Sequence, residues 1–136
     1  MLSSDHILDL IPQRSPFVFV DKLTNITENS FKSQYLVRKE NPLCNGHILC
    51  EAGIIEHIAQ SMAAHIGYLS KDEVKIGMLG SVNHFTVWEL PMVSQLLETD
   101  IQIISRIFGI TLLKAEVKSN GVSIAKAEMK VVTPES

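Results

Sequence analysis

One stretch of the chain, Ala52 to Leu69, constrains the fold most, because it carries apolar residues on nearly every helical face. A helix of that kind is surrounded by other elements. From Ile76 onward the sequence has strand character, in segments 76–88, 96–107, 110–118 and 122–132, with a hairpin turn at 119–121. Since the βαβα alternation is missing, we predict an α+β fold.

The first half of the chain predicts short elements. Capping residues before apolar positions indicate a short helix within residues 3–11, which Pro12 ends. The β-rich run Phe17 to Val20 predicts a mostly buried strand, with 30–37 as its partner. Residues 41–46 have the composition of a loop.

Size and charge limit the possible functions. The 136 residues suit one domain, and a net charge of −3 without a Lys/Arg block argues against nucleic acid as a partner. We interpret Cys44 and Cys50 as thiols. Neither a signal peptide nor a bilayer-spanning run is evident, so we expect a cytoplasmic protein with no membrane insertion.

Glu56 is the first candidate for chemistry, because an ionised carboxylate inside an apolar helix needs partners or must become neutral. Gln60 lies one turn further along the same stripe, and small residues continue it at Ala63 and Gly67. Such a stripe resembles the lining of a pocket. The alternative is that Glu56 simply reaches water.

A neighbouring stripe is polar as well, at His57, Ser61 and His65. The two histidines are either part of a binding site or satisfied polar residues at a dimer interface, which we favour. We expect the core-facing positions to be Ile55, Ile58, Met62 and Ile66.

The segment before the helix supplies further candidates. His47 follows Gly46, whose flexibility would let an imidazole approach a ligand; the alternative is an exposed loop histidine. Gly53 lies near the helix N-terminus, where free N–H groups could polarise a substrate carbonyl, or it is a packing glycine.

Two segments resemble the 3-hydroxyacyl-ACP dehydratase family. Residues 11–22, IPQRSPFVFVDK, are similar to the family's LPHRxP start, with its four hydrophobic residues and Asp-Arg. Residues 53–60, GIIEHIAQ, are similar to its central-helix pattern, which ends in Glu-x-φ-Ala-Gln. The resemblance covers essentially the whole chain and implies a hot-dog fold, in which a curved antiparallel sheet of five or six strands wraps one long central helix.

The resemblance also implies a catalytic dyad of Glu56 and a histidine from the preceding loop of a partner subunit, matched here by His47. The loop is shorter than the family's and lacks its prolines. In this it resembles a dehydratase-like branch associated with aryl-polyene and flexirubin-type pigment synthesis, some of whose members are partner subunits.

We therefore expect a hydro-lyase that converts a 3-hydroxyacyl thioester, on acyl-carrier protein or CoA, into the 2-enoyl thioester. Glu56 and His47 would be catalytic; Gly53, Gln60, Gly46 and His57 would bind substrate. We predict neither metal nor cofactor, and either a homodimer or a heterodimer with another hot-dog chain. The alternatives are a thioesterase of the same fold and a non-catalytic partner subunit.

Overall fold

The computed structural model of the protein describes residues 2–70 and 77–133. Within them, helix α1 spans Glu51–Leu69. The strands are β1 (Lys22–Thr24), β2 (Ser30–Leu36), β3 (Cys44–Asn45), β4 (Ile48–Leu49), β5 (Met78–Val87), β6 (Leu96–Ile107), β7 (Ile110–Ser119) and β8 (Val122–Val132). Six strands form an antiparallel sheet in the order β1-β2-β6-β7-β8-β5, and β3 and β4 form a separate hairpin. The predicted α+β class, with one long helix against one sheet, is confirmed.

The second half of the chain follows the predicted pattern closely. The bounds of β6 and β8 are as predicted, and β7 is one residue longer. Strand β5 lies inside the predicted segment, whose residue 76 is outside the described residues. The predicted turn after β7 has Asn120 at φ 53° and Gly121 at φ 76°. Both residue types tolerate this left-handed backbone, which suits a two-residue hairpin.

Helix α1 packs across the inward face of the sheet, where alternating strand residues meet it. On β6 the buried positions are Leu97, Thr99 and Ile101, at most 1% exposed, and on α1 they include Ile58 and Met62. This is the period-2 pattern of a half-buried sheet. Truncating Ile58 or Met62 to alanine would cost about 2–5 kcal/mol of folding free energy, the usual range for large core side chains.

The orientation of α1 differs in part from the prediction. The polar stripe of His57, Ser61 and His65 is fully buried within the single chain, whereas Ile55 and Ile66 are only half-buried. Each of these side chains has a hydrogen-bond partner in a distant part of the chain, with only His65 Nδ1 left without one among the described residues. Because these partners offset the cost of burial, the stripe can face the protein interior. The expected position of the histidines at a dimer interface is therefore wrong.

The predicted N-terminal helix is a single 3-10 turn, Ile7–Asp9. Ser4 cannot join it, because its N–H and C=O both pair with the backbone of Leu23 at 2.8–2.9 Å. Pro12 follows and has no N–H with which to extend a helix. Before its 3-10 turn, the N-terminal segment therefore pairs with β1 at the edge of the sheet, through a single antiparallel bridge between Ser4 and Leu23.

The predicted strand Phe17 to Val20 is wrong, since this segment pairs with no strand. Strand β2 pairs with β1 and β6 instead. Side chains of α1 provide the hydrogen bonds that a neighbouring strand would supply. Gln60 accepts from the N–H of Phe19 and donates to the carbonyl of Phe17, and the ring of His57 donates to the carbonyl of Phe19. Phe19 thus has a buried backbone whose N–H and C=O are both hydrogen-bonded without strand pairing.

Candidate active site

Glu56 and Gln60 are brought together by their spacing of one helical turn. Gln60 is 2% exposed, and its amide orientation is fixed because Oε1 accepts the Phe19 N–H at 2.7 Å. Nε2 must then point the other way, where it donates to the Phe17 carbonyl and to Glu56 Oε1, both at 2.9 Å. One carboxyl oxygen of Glu56 is therefore held by a rigid donor.

The surroundings of Glu56 are half-open in the single chain. The side chain is half-buried, and within the described residues Oε2 has no hydrogen-bond partner. Beside it, a stripe of small and apolar residues along α1 is also incompletely covered: Ala52, Ile55, Ala59, Ala63 and Ile66. Glu56 thus has one oxygen held by Gln60 and one oxygen free, next to uncovered apolar surface. This arrangement is typical of an active site at a chain–chain interface, which a second chain completes.

His57 has both ring nitrogens occupied. Nδ1 lies 2.7 Å from the Phe19 carbonyl and Nε2 lies 2.8 Å from Thr99 Oγ1. A carbonyl only accepts, so Nδ1 carries the proton and Nε2 accepts from threonine. Burial lowers the pKa of His57 to about 4, partly opposed by the hydrogen bond to Phe19. The ring is thus a neutral structural link, which favours the satisfied polar residue over direct substrate contact.

His65 is a second neutral, buried imidazole on the same stripe. Nε2 donates to the Thr27 carbonyl at 2.7 Å, and the ring stacks on Phe31 with centroids 4.3 Å apart. Burial lowers the pKa of His65 to about 4, against the raising effect of the hydrogen bond to Thr27. Both histidines therefore stay uncharged at neutral pH.

His47 lies at the tip of the β3–β4 hairpin, which is tighter than the predicted loop. Gly46, at φ 64°, and His47 form the two-residue turn between the strands. The backbone is held from the other side by the 88–95 segment, through bonds from Val93 N–H to the His47 carbonyl and from Leu49 N–H to the Pro91 carbonyl at 2.8–2.9 Å. The imidazole is exposed, and among the described residues it makes no hydrogen bond to Glu56.

Gly53 is buried against the hairpin. A Cβ at this position would overlap the side chain of Leu49, so Gly53 allows the helix to pack closely against the hairpin, as the alternative interpretation predicted. Its N–H donates to the Cys50 carbonyl at 2.9 Å and is not free for an oxyanion. Earlier in the helix, the N–H groups of Glu51 and Ala52 have no acceptor within the described part of the chain.

Two large grooves in the described part of the chain lie elsewhere. One, of about 590 Å³, lies between the N-terminal turn, residues 15–21 and the end of β2, beside Tyr35 and the Arg38–Asp21 ion pair of 2.7 Å. Another of about 590 Å³ lies on the outer face of the sheet, beside Lys32 and Asp100. None of the predicted site residues lines either groove. In residues 2–70 and 77–133, no cluster of candidate ligands could hold a metal ion, and no helix has the length and hydropathy needed to cross a bilayer.

The sequence interpretation missed the partners of the buried polar stripe. The Thr99 hydroxyl donates to the His57 ring, and the Ser33 and Ser61 hydroxyls share a hydrogen bond, each 2.8 Å long. Thr99 and Ser33 are both buried at inward positions of otherwise apolar alternating strands. A polar residue at such a position signals a buried hydrogen bond, so the two could have been paired with the helix stripe.

Curated relatives are dehydratases. The chain is 24% identical over 136 residues to the 3-hydroxyacyl-[acyl-carrier-protein] dehydratase FabZ of Ruminiclostridium cellulolyticum, covering 96% of each chain. A FabZ of Clostridium perfringens is 32% identical over 80 residues, which are 55% of this chain and 56% of the relative.

Solved structures share the fold. A chain of the dehydratase heterocomplex ApeI:P from Xenorhabdus doucetiae superposes with a TM-score of 0.86 at 18% identity, covering 96% of this chain and 91% of that one. A hypothetical thioesterase with coenzyme A from Streptococcus pneumoniae has a TM-score of 0.66 at 8% identity, covering 84% and 85%. The expected hot-dog fold is confirmed.

The sequence model described as "ApeP-like: ApeP dehydratase" matches residues 5–136. This match and the FabZ relatives confirm the resemblance to 3-hydroxyacyl-ACP dehydratases and the expected hydro-lyase class. With a hot-dog fold and a helix glutamate held by glutamine, the chain belongs to the ApeP-like dehydratase family.

Proposed function

We propose that the protein removes water from a 3-hydroxyacyl thioester, carried by acyl-carrier protein or CoA, to give the 2-enoyl thioester in cytoplasmic fatty-acid or polyene-type synthesis. The observation that supports this most is the Glu56 carboxyl group, with Oε1 held by Gln60 and Oε2 free beside the uncovered apolar stripe. An acyl chain suits the stripe, and the free oxygen suits proton transfer.

In this reaction His47 takes the α-proton and Glu56 protonates the departing 3-hydroxyl group. Gly46 allows the turn that carries the His47 imidazole to approach the substrate. Its backbone is left-handed, and no other atom lies within contact distance of the position where a Cβ would be. The thioester oxygen needs a donor near the helix start. Gly53 shapes that region, but its own N–H is engaged, so Glu51 or Ala52 supplies the N–H.

Gln60 and His57 act on substrate indirectly. Together they hold the backbone of residues 17–19, and Gln60 also orients the acid. Phe17, which is 56% exposed, lies at the open end of that segment. Its carbonyl binds the same amide as Glu56, which places the Phe17 backbone beside the acid, so we assign this exposed residue to the acyl site.

The complete site contains two hot-dog chains. His47 and Glu56 of one chain are not joined by a hydrogen bond in the described residues, and the α1 stripe and the edge strand β5 both lack cover. A second copy, or another hot-dog chain, would bury both surfaces and bring a histidine to Glu56. Nothing in the geometry favours the thioesterase alternative, since the likeness to a thioesterase lies in the fold alone.

The experiment is turnover of a 3-hydroxyacyl-ACP by the wild type, Glu56→Gln and Glu98→Gln. Glu98 is the control, because it is an exposed acid on the outer face of β6, outside the proposed site. We expect Glu56→Gln to lose at least about 100-fold in kcat, as general acid catalysis predicts, and Glu98→Gln to be unaffected. Mass spectrometry separates the products: dehydration retains the thioester, whereas hydrolysis releases the carrier thiol. Unchanged turnover by Glu56→Gln, or release of thiol by the wild type, would refute the proposal.

A further inference from the structure

The two tight hairpins of the large sheet have nearly the same backbone but different residues. Between β7 and β8, Asn120 and Gly121 have φ 53° and 76°. Between β6 and β7, Phe108 and Gly109 have φ 51° and 76°. Asparagine tolerates the left-handed region, whereas a bulky aromatic residue there is strained. The second turn therefore carries a conformational cost that the first avoids.

Phe108 gains no compensating burial, since it is 87% exposed. The residues beside it continue the apolar surface. Ile107 pairs with Ile110, Ile110 with Val132, and Val132 with Met78, so the four side chains form one row across four strands. They are 61%, 44%, 40% and 65% exposed. We call these four residues and Phe108 the apolar end of the sheet.

The stretches that build the apolar end carry charged residues of positive sign only, and acidic residues begin beside them: Arg106 donates to the carbonyl of Glu28 at 2.9 Å, and Glu128 lies two residues from Lys130. The stretches themselves, 78–81, 105–111 and 130–133, contain Arg106 and Lys130 and no acidic residue. Both cationic residues are exposed. In a chain of net charge −3 this is a locally positive region, which complements an anionic surface.

The shape of the apolar end fits a lipid surface better than a protein. Neither large groove is lined by its residues, and the strained phenylalanine is at the tip of a hairpin. A stable protein interface buries about 800 Å² per partner, more than five partly shielded side chains supply. Lipid accepts a convex apolar tip, and anionic headgroups attract neighbouring cations.

We propose that the apolar end docks the protein on an anionic bilayer surface, with Phe108 inserted between headgroups and with Arg106 and Lys130 at the phosphate level. Such peripheral contact departs from the expectation of no membrane insertion. That expectation came from a search for apolar runs, in which a hairpin tip gives no signal. The site is separate from Glu56 and does not depend on the proposed reaction; of its residues only Met78 lies on β5, whose free edge the proposed second chain would cover.

The test is co-sedimentation with vesicles of phosphatidylcholine containing about a third phosphatidylglycerol, and with vesicles of phosphatidylcholine alone. We expect the wild type to bind the anionic vesicles, and Phe108→Asn to bind about tenfold more weakly. Lys130→Gln should lose about fivefold on the anionic vesicles. The matched control is Val122→Ser, which changes a residue 60% exposed beside the other hairpin and should bind as the wild type does.

Phe108→Asn should also raise the urea midpoint of unfolding, because asparagine suits the turn; a lower midpoint would contradict the strain on which the proposal rests. Wild-type protein that stays in the supernatant with anionic vesicles overturns the proposal. So does equal binding by Phe108→Asn. If vesicle binding is absent and Phe108→Asn converts a larger oligomer into a smaller one in ultracentrifugation, the surface is an interface between copies.

Discussion

Gln60 holds Glu56 from one helical turn away, with its Nε2 2.9 Å from Oε1 of the carboxyl group. The same amide fixes the backbone of Phe17 and Phe19. The proposed acid and the irregular segment beside it are thus positioned by one side chain.

Gln60→Ala should therefore reduce both stability and turnover. It leaves the N–H of Phe19 unsatisfied, at a cost of about 1–3 kcal/mol of unfolding free energy, and frees the Glu56 carboxyl group to rotate. Gln60→Glu keeps an acceptor for Phe19 but, when ionised, has no N–H for the Phe17 carbonyl or for Glu56, so it should restore neither stability nor kcat. Urea denaturation and initial rates measure the two effects.

Ser61→Ala is the control, since Ser61 is buried next along the helix and bonds Ser33 rather than Glu56. It should cost about 1 kcal/mol of stability and leave kcat unchanged. Equal loss of kcat in Ser61→Ala and Gln60→Ala would mean that general loosening of α1, and not the contact with Glu56, lowers the rate.

Mixing two inactive variants should restore activity. If each site combines His47 of one copy with Glu56 of the other, dimers of His47→Ala and Glu56→Gln have one intact site and one doubly altered site. Random pairing then gives about a quarter of wild-type activity. The measurement is turnover after co-refolding of the two variants. No recovery would assign both residues to one chain, and a wild type active only with a different hot-dog chain would indicate a heterodimer.

Stability should fall on acidification between about pH 6.5 and pH 4. Burial lowers the pKa values of His57 and His65 to about 4, so in this window the unfolded chain binds protons that the folded chain does not. Stability is fully present above pH 6.5 and decreases by up to roughly 1.4 kcal/mol per pH unit for each histidine. Urea unfolding at about pH 7, 6 and 5 tests this, before most carboxylates titrate.

His57→Gln should reduce that pH slope, while His6→Gln, which removes a histidine whose side chain is 81% exposed, should leave it unchanged. If the wild type is equally stable at pH 7 and pH 5, the two imidazoles cannot be neutral and buried as the structure has them.

Gly53→Ala should destabilise the protein by about 1–3 kcal/mol, because its methyl group overlaps the side chain of Leu49. The loss measured for Gly53→Ala combined with Leu49→Ala should be smaller than the sum of the single losses, since removing Leu49 atoms makes room. Additive losses in urea denaturation would show that the two side chains do not compete for space.

The sequence was sufficient for elements whose structure depends on their own pattern. Alternation gave β6 and β8 with correct bounds, and Asn120-Gly121 gave the turn. Apolar residues on nearly every face predicted that other elements surround α1, and the i, i+4 spacing of Glu56 and Gln60 predicted that the two side chains lie together.

Elements that depend on distant partners were not predictable in this way. Phe17 to Val20 has strand composition, but side chains of α1, some 40 residues away, replace its strand partner. The orientation of α1 was partly mistaken for a related reason. Burying a histidine without hydrogen-bond partners costs folding free energy, and the bond from Thr99 to His57 offsets that cost. Hydrophobic periodicity carries no information about this pairing.

The hairpin that carries His47 is fastened to the connection between β5 and β6 by Val93 and Pro91, more than 40 positions along the chain. The position of the His47 imidazole therefore depends on a segment that does not contact substrate in the proposed site. A relative with a longer or shorter connection would hold its base at a different position relative to the substrate, although every catalytic residue stays the same.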